Sequence, residues 1–321
     1  MGSEMCIRDR MEEIKIVSQN YSKTRLDKVC ALMFDDFSRS KLKKWIIDGK
    51  ILLNNEIASP KEIVFEGDEI FINPVLENVT SWKPEKIDYE ILYESDNYII
   101  VNKPNDLIVH PGSGCFKGTL ANGLLFDFPE LEKIPRAGIV HRLDKDTSGI
   151  MLIARTEKFR NYFVKSLQER KIKKQYKAVV VGEIKRSFEV NEPIGRDKNN
   201  RTKMSIRKDG KEAISFIKPI ESFGNYALIN ISIKTGRTHQ IRVHLASKKF
   251  PIIGDKTYNP SNNLAKDTPN ELIKDIRAFP RQALHSFNLS FQEMDSSKMV
   301  SYETKIPKDI EVLIKTIKKH F

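Results

Sequence analysis

The sequence predicts an α+β fold: a mixed, largely antiparallel sheet with a few helices, preceded by a small N-terminal α/β module. Three observations lead there. Strand-like runs dominate from Tyr89 onward, among them "YIIVNK", "QYKAVVVG" and "YALINISI". Helical periods fall only near residues 157–169, 238–247 and 308–319, so strands and helices do not alternate as a doubly wound parallel sheet requires. Residues 12–74 form a pattern of their own, a lysine-rich helix followed by short strands.

Taken in order, "MGSEMCIRDR" lacks an apolar core of signal-peptide length and any apolar period, and Met11 would serve equally well as a start. Residues 1–11 are expected to be a tail outside the fold. In the module 12–74, Ser38 can cap the helix "RSKLKKWIID", with Leu42, Trp45 and Ile46 on one face and Gly49 as the stop. Lys41, Lys43 and Lys44 fall off that apolar stripe. "KILLNNEI" and "EGDEIFI" read as strands, the first broken by the turn pair Asn54-Asn55. Residues 75–88 hold two charged clusters and Pro84 and no period, so they read as a linker. Residues 89–321 are the larger domain. There Pro104 ends "YIIVNK", and "YALINISI" alternates Ile229, Ile231 and Ile233 with Asn230 and Ser232.

Composition narrows the function. Of 321 residues, 40% are apolar and 31% charged, which fits a globular protein. The longest apolar run is Val29 to Phe34, far short of the roughly 20 residues a membrane helix needs. The net charge of +12 favours a polyanionic partner, nucleic acid before a membrane surface. Cys6, Cys30 and Cys115 are odd in number, far apart and without a CxxC pair, so a reducing compartment, the cytoplasm, is expected.

The stretch "GIVHRLDKDTSGIMLIAR", Gly138 to Arg155, sets a charged loop between two apolar segments. "DKDTSG" imitates the start of a calcium loop, but the twelfth position, which needs a bidentate Glu, is Arg155. His239 and His244 are five apart, where two zinc ligands on one helical face need three or four. "GSG" at 112–114 is not the nucleophile elbow GxSxG, and no phosphate-cradling loop or dinucleotide fingerprint is present. What remains is a carboxylate acting alone, Asp144. At the rim of a core it needs a cationic partner, for which Arg142, Lys145, Arg237 and Arg242 are candidates. A well-paired connection with no chemistry is the competing reading of the same loop.

"HRLDKDTSG", together with "KTGRTHQIRVH" and "NKPNDLIVHPG", strongly resembles the RluA family of pseudouridine synthases, in order and spacing from about Glu90 to Asp255. "RLDKVCALMFDDFSRSKLKKWIIDGKILLNN" resembles the S4 RNA-binding domain. The first ten residues match nothing in that family. The resemblance implies the pseudouridine synthase fold and an enzyme that isomerises uridine to pseudouridine in RNA. The base leaves its sugar, rotates and rejoins through carbon five, with no cofactor and no metal. The segments "PRAGIV", "RTKM" and "RQALH" are most like members acting on large-subunit ribosomal RNA, which makes that RNA or a pre-ribosomal particle the expected partner. The same reaction on transfer RNA or another RNA is an alternative; so is a non-catalytic RNA-binding assembly factor.

The resemblance also assigns roles. Asp144 stands at the family's essential aspartate, as nucleophile or as base toward the ribose. Tyr176, in "KKQYKAVVVG", matches the tyrosine that packs on the target base, where it could also assist loss of the carbon-five proton. Arg242, in "HQIRVH", matches the basic partner of the aspartate. Arg142 matches a residue that enters the RNA as the uridine leaves. In the S4-like module, Arg39, Lys41, Lys43 and Lys44 are the expected RNA contacts. His141, His239, His244 and the pair Lys103-Pro104 are expected to be structural.

Overall fold

A computed structural model describes residues 13–34, 37, 39–73, 82–112, 115–200, 202–260, 263–265, 268–296 and 298–321. The expected tail, the Ser38 cap, residues 75–81 of the expected linker, Ser113 and Arg201 of "RTKM" lie outside them.

The N-terminal module contains β1 (Glu13–Ile16), β2 (Thr24–Arg25), α1 (Leu26–Met33), α2 (Arg39–Ile47), β3 (Ile51–Leu53), β4 (Glu56–Ile57), β5 (Ile63–Val64) and β6 (Glu69–Ile72). Its main sheet runs β1-β6-β3-β4. Leu42, Trp45 and Ile46 of α2 are buried against Leu26, Val29 and Cys30 of α1, as the apolar stripe predicts. Gly49, at φ 68°, ends α2. Asn54 and Asn55 both have positive φ, 51° and 65°, the backbone a two-residue hairpin between β3 and β4 requires.

The larger domain holds β7 (Glu90–Glu94), β8 (Tyr98–Lys103), α3 (Leu120–Asp127), β9 (Ser148–Ala154), α4 (Glu157–Gln168), β10 (Lys173–Val181), β11 (Phe188–Asn191), β12 (Ile194–Arg196), β13 (Met204–Ile206), β14 (Ile214–Phe223), β15 (Tyr226–Ile233), α5 (Gln240–Ser247), α6 (Asn270–Ala278), β16 (Leu284–Gln292), β17 (Met299–Glu303) and α7 (Lys308–Lys318). The main sheet runs β11-β14-β15-β10-β16-β9-β8-β7, with β17 also on β16. The pairing of β16 with β9 is parallel and the other pairings in this sheet are antiparallel. The fold is α+β with a mixed, largely antiparallel sheet.

The centre of the sheet is covered on both faces. Ile99 and Val101 of β8 and Met151 and Ile153 of β9 join one core, beneath α3, α6 and α7. The alternate residues Tyr98, Ile100, Ile150 and Leu152 join a second core with Phe159 and Phe163 of α4. Period-two alternation thus sends each strand's side chains into two apolar layers, and β9 is buried along its whole length.

Residues 82–88, the second half of the expected linker, are pinned to this domain. Asn122 of α3 donates to the Lys83 carbonyl (2.7 Å), and Glu85 N–H donates to the Asn122 carbonyl (3.0 Å). Trp82 and Ile87 pack on the main core. A stretch without period can still be held by backbone hydrogen bonds, which leave no mark in hydropathy. Among the described residues, no helix is long and apolar enough to cross a membrane.

Candidate active site

The charged loop lies just ahead of β9, and its shape is fixed from outside. Lys103, fully buried at the end of β8, donates to the carbonyls of Pro104 (2.7 Å), Leu107 (2.9 Å) and Lys145 (2.9 Å). Its three ammonium donors are thereby spent, one of them beside Asp144. Burial brings its pKa down to about 7, with Asp146 resisting the shift. Arg281 donates to the Asp146 carbonyl (3.1 Å), Gln282 to the Thr147 hydroxyl (3.1 Å), and His285 shares a hydrogen bond with Ser148 (2.9 Å). "RQALH" is therefore the clamp of this loop. Gly149 has φ 120°, and a Cβ there would stand 2.1 Å from the Ser286 carbonyl oxygen, so no larger residue fits where β9 begins.

Of the four candidate cations, Arg242 reaches Asp144. Its Nη1 donates to Asp144 Oδ2 at 3.0 Å. Lys145 pairs instead with Asp106, and Arg237 Nε donates to the Glu212 carbonyl. Arg142 is exposed on the cleft wall and makes no hydrogen bond or ion pair among the described residues.

Arg242 has a second acid that the sequence did not single out. Its Nε and Nη2 form a fork on Asp255, both bonds 2.8 Å, and Asp255 also accepts the backbone N–H of Thr257 and Tyr258. Arg242 is 6% exposed and Asp255 1%. Burial works against charge on both, but their mutual hydrogen bonds prevail. The guanidinium is held above its ordinary range and the Asp255 carboxyl below its own. Asp255 thus anchors the fork while the remaining Nη1 aims at Asp144, a geometry that a single point charge such as Lys could not reproduce.

Tyr176 comes from β10. Gln175 faces Asn288 and Tyr176 faces Ser286, which leaves Phe287 as a β-bulge of β16 at the site, where bulges re-aim side chains. Burial lifts the Tyr176 phenol above its ordinary range; Ser286 works against the shift and the Asp144 charge adds to it. The hydroxyl therefore keeps its proton at neutral pH.

Of the histidines expected to be structural, His141 accepts from Leu152 N–H (2.9 Å) and His244 bonds Ser215 and the Glu192 carbonyl (both 3.0 Å). His239 bonds Tyr258 (2.8 Å), and its Nε2 stands 3.9 Å from Asp144. Burial lowers its pKa, with Asp144 opposing the shift.

Asp144, Arg142, Tyr176, Arg242, His141 and His239 line a cleft of about 610 Å³. Besides Arg242 its wall carries Arg136, Arg142, Arg170, Lys174, Lys234 and Arg237, and among the described residues Asp144 is its one carboxylate. Such a wall concentrates anions, and its single acid stands out against a cationic field.

The structure does not bring the S4-like residues into this cleft. Arg39 forms an ion pair with Asp27 at 2.6 Å, and Arg25 binds the same carboxylate. Lys41 Nζ lies 2.7 Å from Glu157 of α4 and over the rings of Phe37 and Trp45. Lys43 and Lys44 are exposed.

Comparison with known proteins gives a consistent set of matches. A family model for RNA pseudouridylate synthase matches residues 97–247, and one for the S4 domain matches 24–70. The ribosomal large subunit pseudouridine synthase D of Neisseria meningitidis is 42% identical over 92% of this chain and 79% of its own. The protein of that name from Escherichia coli is 39% identical over 97% of this chain and 96% of its own. Among solved structures, human RNA pseudouridylate synthase domain containing 4 superposes with a TM-score of 0.57 over 71% of this chain and 93% of its own, at 22% identity, a likeness of fold.

Proposed function

The chain belongs to the RNA pseudouridylate synthase family, and on that premise we propose that it converts particular uridines of large-subunit ribosomal RNA to pseudouridine, with Asp144 as the reacting carboxylate. The enzyme is an RNA pseudouridine synthase. The observation that carries the residue assignment is the position of Asp144: one carboxylate on a clamped loop, gripped by Arg242, in a cleft whose other formally charged side chains, among the described residues, are Arg and Lys.

The reaction breaks the bond from the ribose to uracil nitrogen one and forms one to carbon five. The hydrogen of carbon five leaves as a proton and nitrogen one gains a proton, so the net change is an isomerisation. Asp144 attacks or deprotonates the ribose. Arg242 holds the carboxylate ionised and aimed, and the buried Asp255 keeps Arg242 from turning away. Tyr176 packs on the uracil ring; with its phenol raised above the usual range, stacking fits it better than service as a phenolate base. Arg142, exposed and unpaired among the described residues, is free to fill the gap that the departing base leaves in the RNA.

Large-subunit ribosomal RNA as the target rests on the names of the relatives, and the cytoplasm as the compartment on the cysteine pattern. Mapping pseudouridines in total RNA from cells with and without the gene tests the reading. Defined positions of large-subunit ribosomal RNA are expected to lose the modification. Losses confined to transfer RNA would replace the target, and no loss anywhere would overturn the function.

A further inference from the structure

Lys174 is 8% exposed as a whole, its stem packed away while its ammonium reaches the cleft, where it has no hydrogen bond or ion pair among the described residues. An ammonium on a largely buried stem is ordinarily matched by acceptors, as Lys103 is by three carbonyls, because partial loss of its hydration is costly. Lys174 leaves its donors unspent while it lines the cleft.

Its surroundings say what would spend them. Lys174 precedes Tyr176 by two residues on β10, so both side chains leave the same face, about 7 Å apart along the strand. That offset is comparable to the separation of a uracil ring from the phosphates on its own nucleotide. The loop after β15 closes over the ammonium: a Cβ at Gly236 would lie 3.2 Å from Lys174 Nζ. Next in that loop is Arg237, whose Nε is held by the Glu212 carbonyl while its guanidinium lines the same cleft. Burial first, then the Arg237 charge, lowers the Lys174 pKa to about 8. Lys174 and Arg237 thus repel each other across this part of the cleft, and Asp144, the cleft's carboxylate among the described residues, is engaged by Arg242. An anion between Lys174 and Arg237 would relieve both desolvation and repulsion.

We propose that Lys174 and Arg237 form a phosphate subsite that holds an RNA phosphodiester next to the uridine stacked on Tyr176. The proposal rests on the RNA-isomerase reading and adds to it the anchor that sets the nucleotide's register. Lys174 is a binding residue here and takes no part in the bond changes.

The test uses the full chain and large-subunit ribosomal RNA transcribed in vitro, with Lys174→Gln, Lys174→Arg and Arg237→Gln. Filter binding across a salt series should show Lys174→Gln weakening affinity about tenfold, with the slope of log affinity against log salt reduced by about 0.7–0.9, the signature of one phosphate fewer being neutralised. Lys174→Arg should restore both, and Arg237→Gln should behave like Lys174→Gln. In single-turnover tritium release from carbon-five-labelled uridine RNA, the half-saturating RNA concentration should rise by more than the saturating rate falls. Lys174→Gln should melt at or above the parent temperature, because it removes a partly desolvated charge that faces Arg237 and has no acidic partner among the described residues; a structural lysine would do the reverse. Unchanged affinity and slope, or weaker affinity with the parent slope, would overturn the phosphate assignment. So would a Lys174→Gln protein that no longer folds. A parent enzyme that releases no tritium while the slope shift persists would instead retire the isomerase reading and leave the phosphate subsite standing.

Discussion

Helix α2 concentrates Arg39, Lys41, Lys43 and Lys44 in one short stretch, whereas the cleft gathers its cations from positions scattered between Arg136 and Arg242. On sequence alone α2 is the more obvious place for a phosphate backbone. The fold reverses part of that ranking. Arg39 is committed to Asp27 and Lys41 to Glu157, while Arg142 and Lys174 reach the cleft with no partner among the described residues. Formal charge counts cations; tertiary structure decides which remain available to a ligand. The two regions also differ in what removing a charge should do. In α2 it breaks links within the protein at some positions and contacts to RNA at others. In the cleft, Arg242 holds two carboxylates, whereas Lys174 holds none among the described residues.

The largest effect on stability is expected at Arg242. Arg242→Met leaves Asp255, whose side chain is 0% exposed, without its fork. One-sided loss of a buried pair costs about 3–5 kcal/mol. Asp144, with a side chain 18% exposed and a single hydrogen bond to Arg242, should tolerate Asn with little change in folding. Thermal melts should place Arg242→Met far below Asp144→Asn, and adding Asp255→Asn to Arg242→Met should recover part of the loss. Equal melting temperatures for the two single variants would break the claim that Arg242 bridges a buried and a reactive carboxylate.

A smaller contrast lies within α2. Lys41→Gln removes the 2.7 Å charge-assisted bond to Glu157, a carboxylate 8% exposed, and should destabilise the protein by about 1–3 kcal/mol while leaving the salt slope of RNA binding near the parent value. Lys43→Gln with Lys44→Gln should do the opposite, with an unchanged melting temperature and a slope lower by about 0.7–0.9 for each phosphate that is no longer neutralised. Melts and filter binding on both proteins check this. A reduced slope for Lys41→Gln, with stability intact, would return Lys41 to the RNA-binding face.

The legible and illegible parts of the molecule divide along physical lines. Strands such as β8, β9 and β15 announce themselves because their β-branched runs are bounded by turns, and α2 because Leu42, Trp45 and Ile46 share a face. Helix α3 is not apparent because Leu120 to Leu125 are all buried, which erases the polar face that would reveal a 3.6-residue period. Helix α6 carries Leu272 and Ile276 at i, i+4 and is legible by the same rule as α2, yet it is absent from the expected helices. Asp144, Tyr176, Arg142 and Arg242 stand out through long motifs. Asp255 does not: "PIIGDKTY" carries no sign that its acid will meet Arg242, since that contact depends on the turn after α5. Lys174 hides in a run of lysines, where only burial separates it from its exposed neighbour Lys173.

The central claim is that a single carboxylate, set on a clamped loop in a cationic cleft, performs the isomerisation. Asp144→Asn keeps the shape and removes the charge, so the measurement is tritium release from carbon-five-labelled uridine RNA by the parent and by Asp144→Asn, under single-turnover conditions with saturating RNA. A loss of at least about a thousandfold, roughly 4 kcal/mol of barrier, is expected, with RNA affinity and melting temperature near the parent's. Activity within about tenfold of the parent, a loss of only ~1.4 kcal/mol, would contradict the assignment of Asp144 as the reacting group.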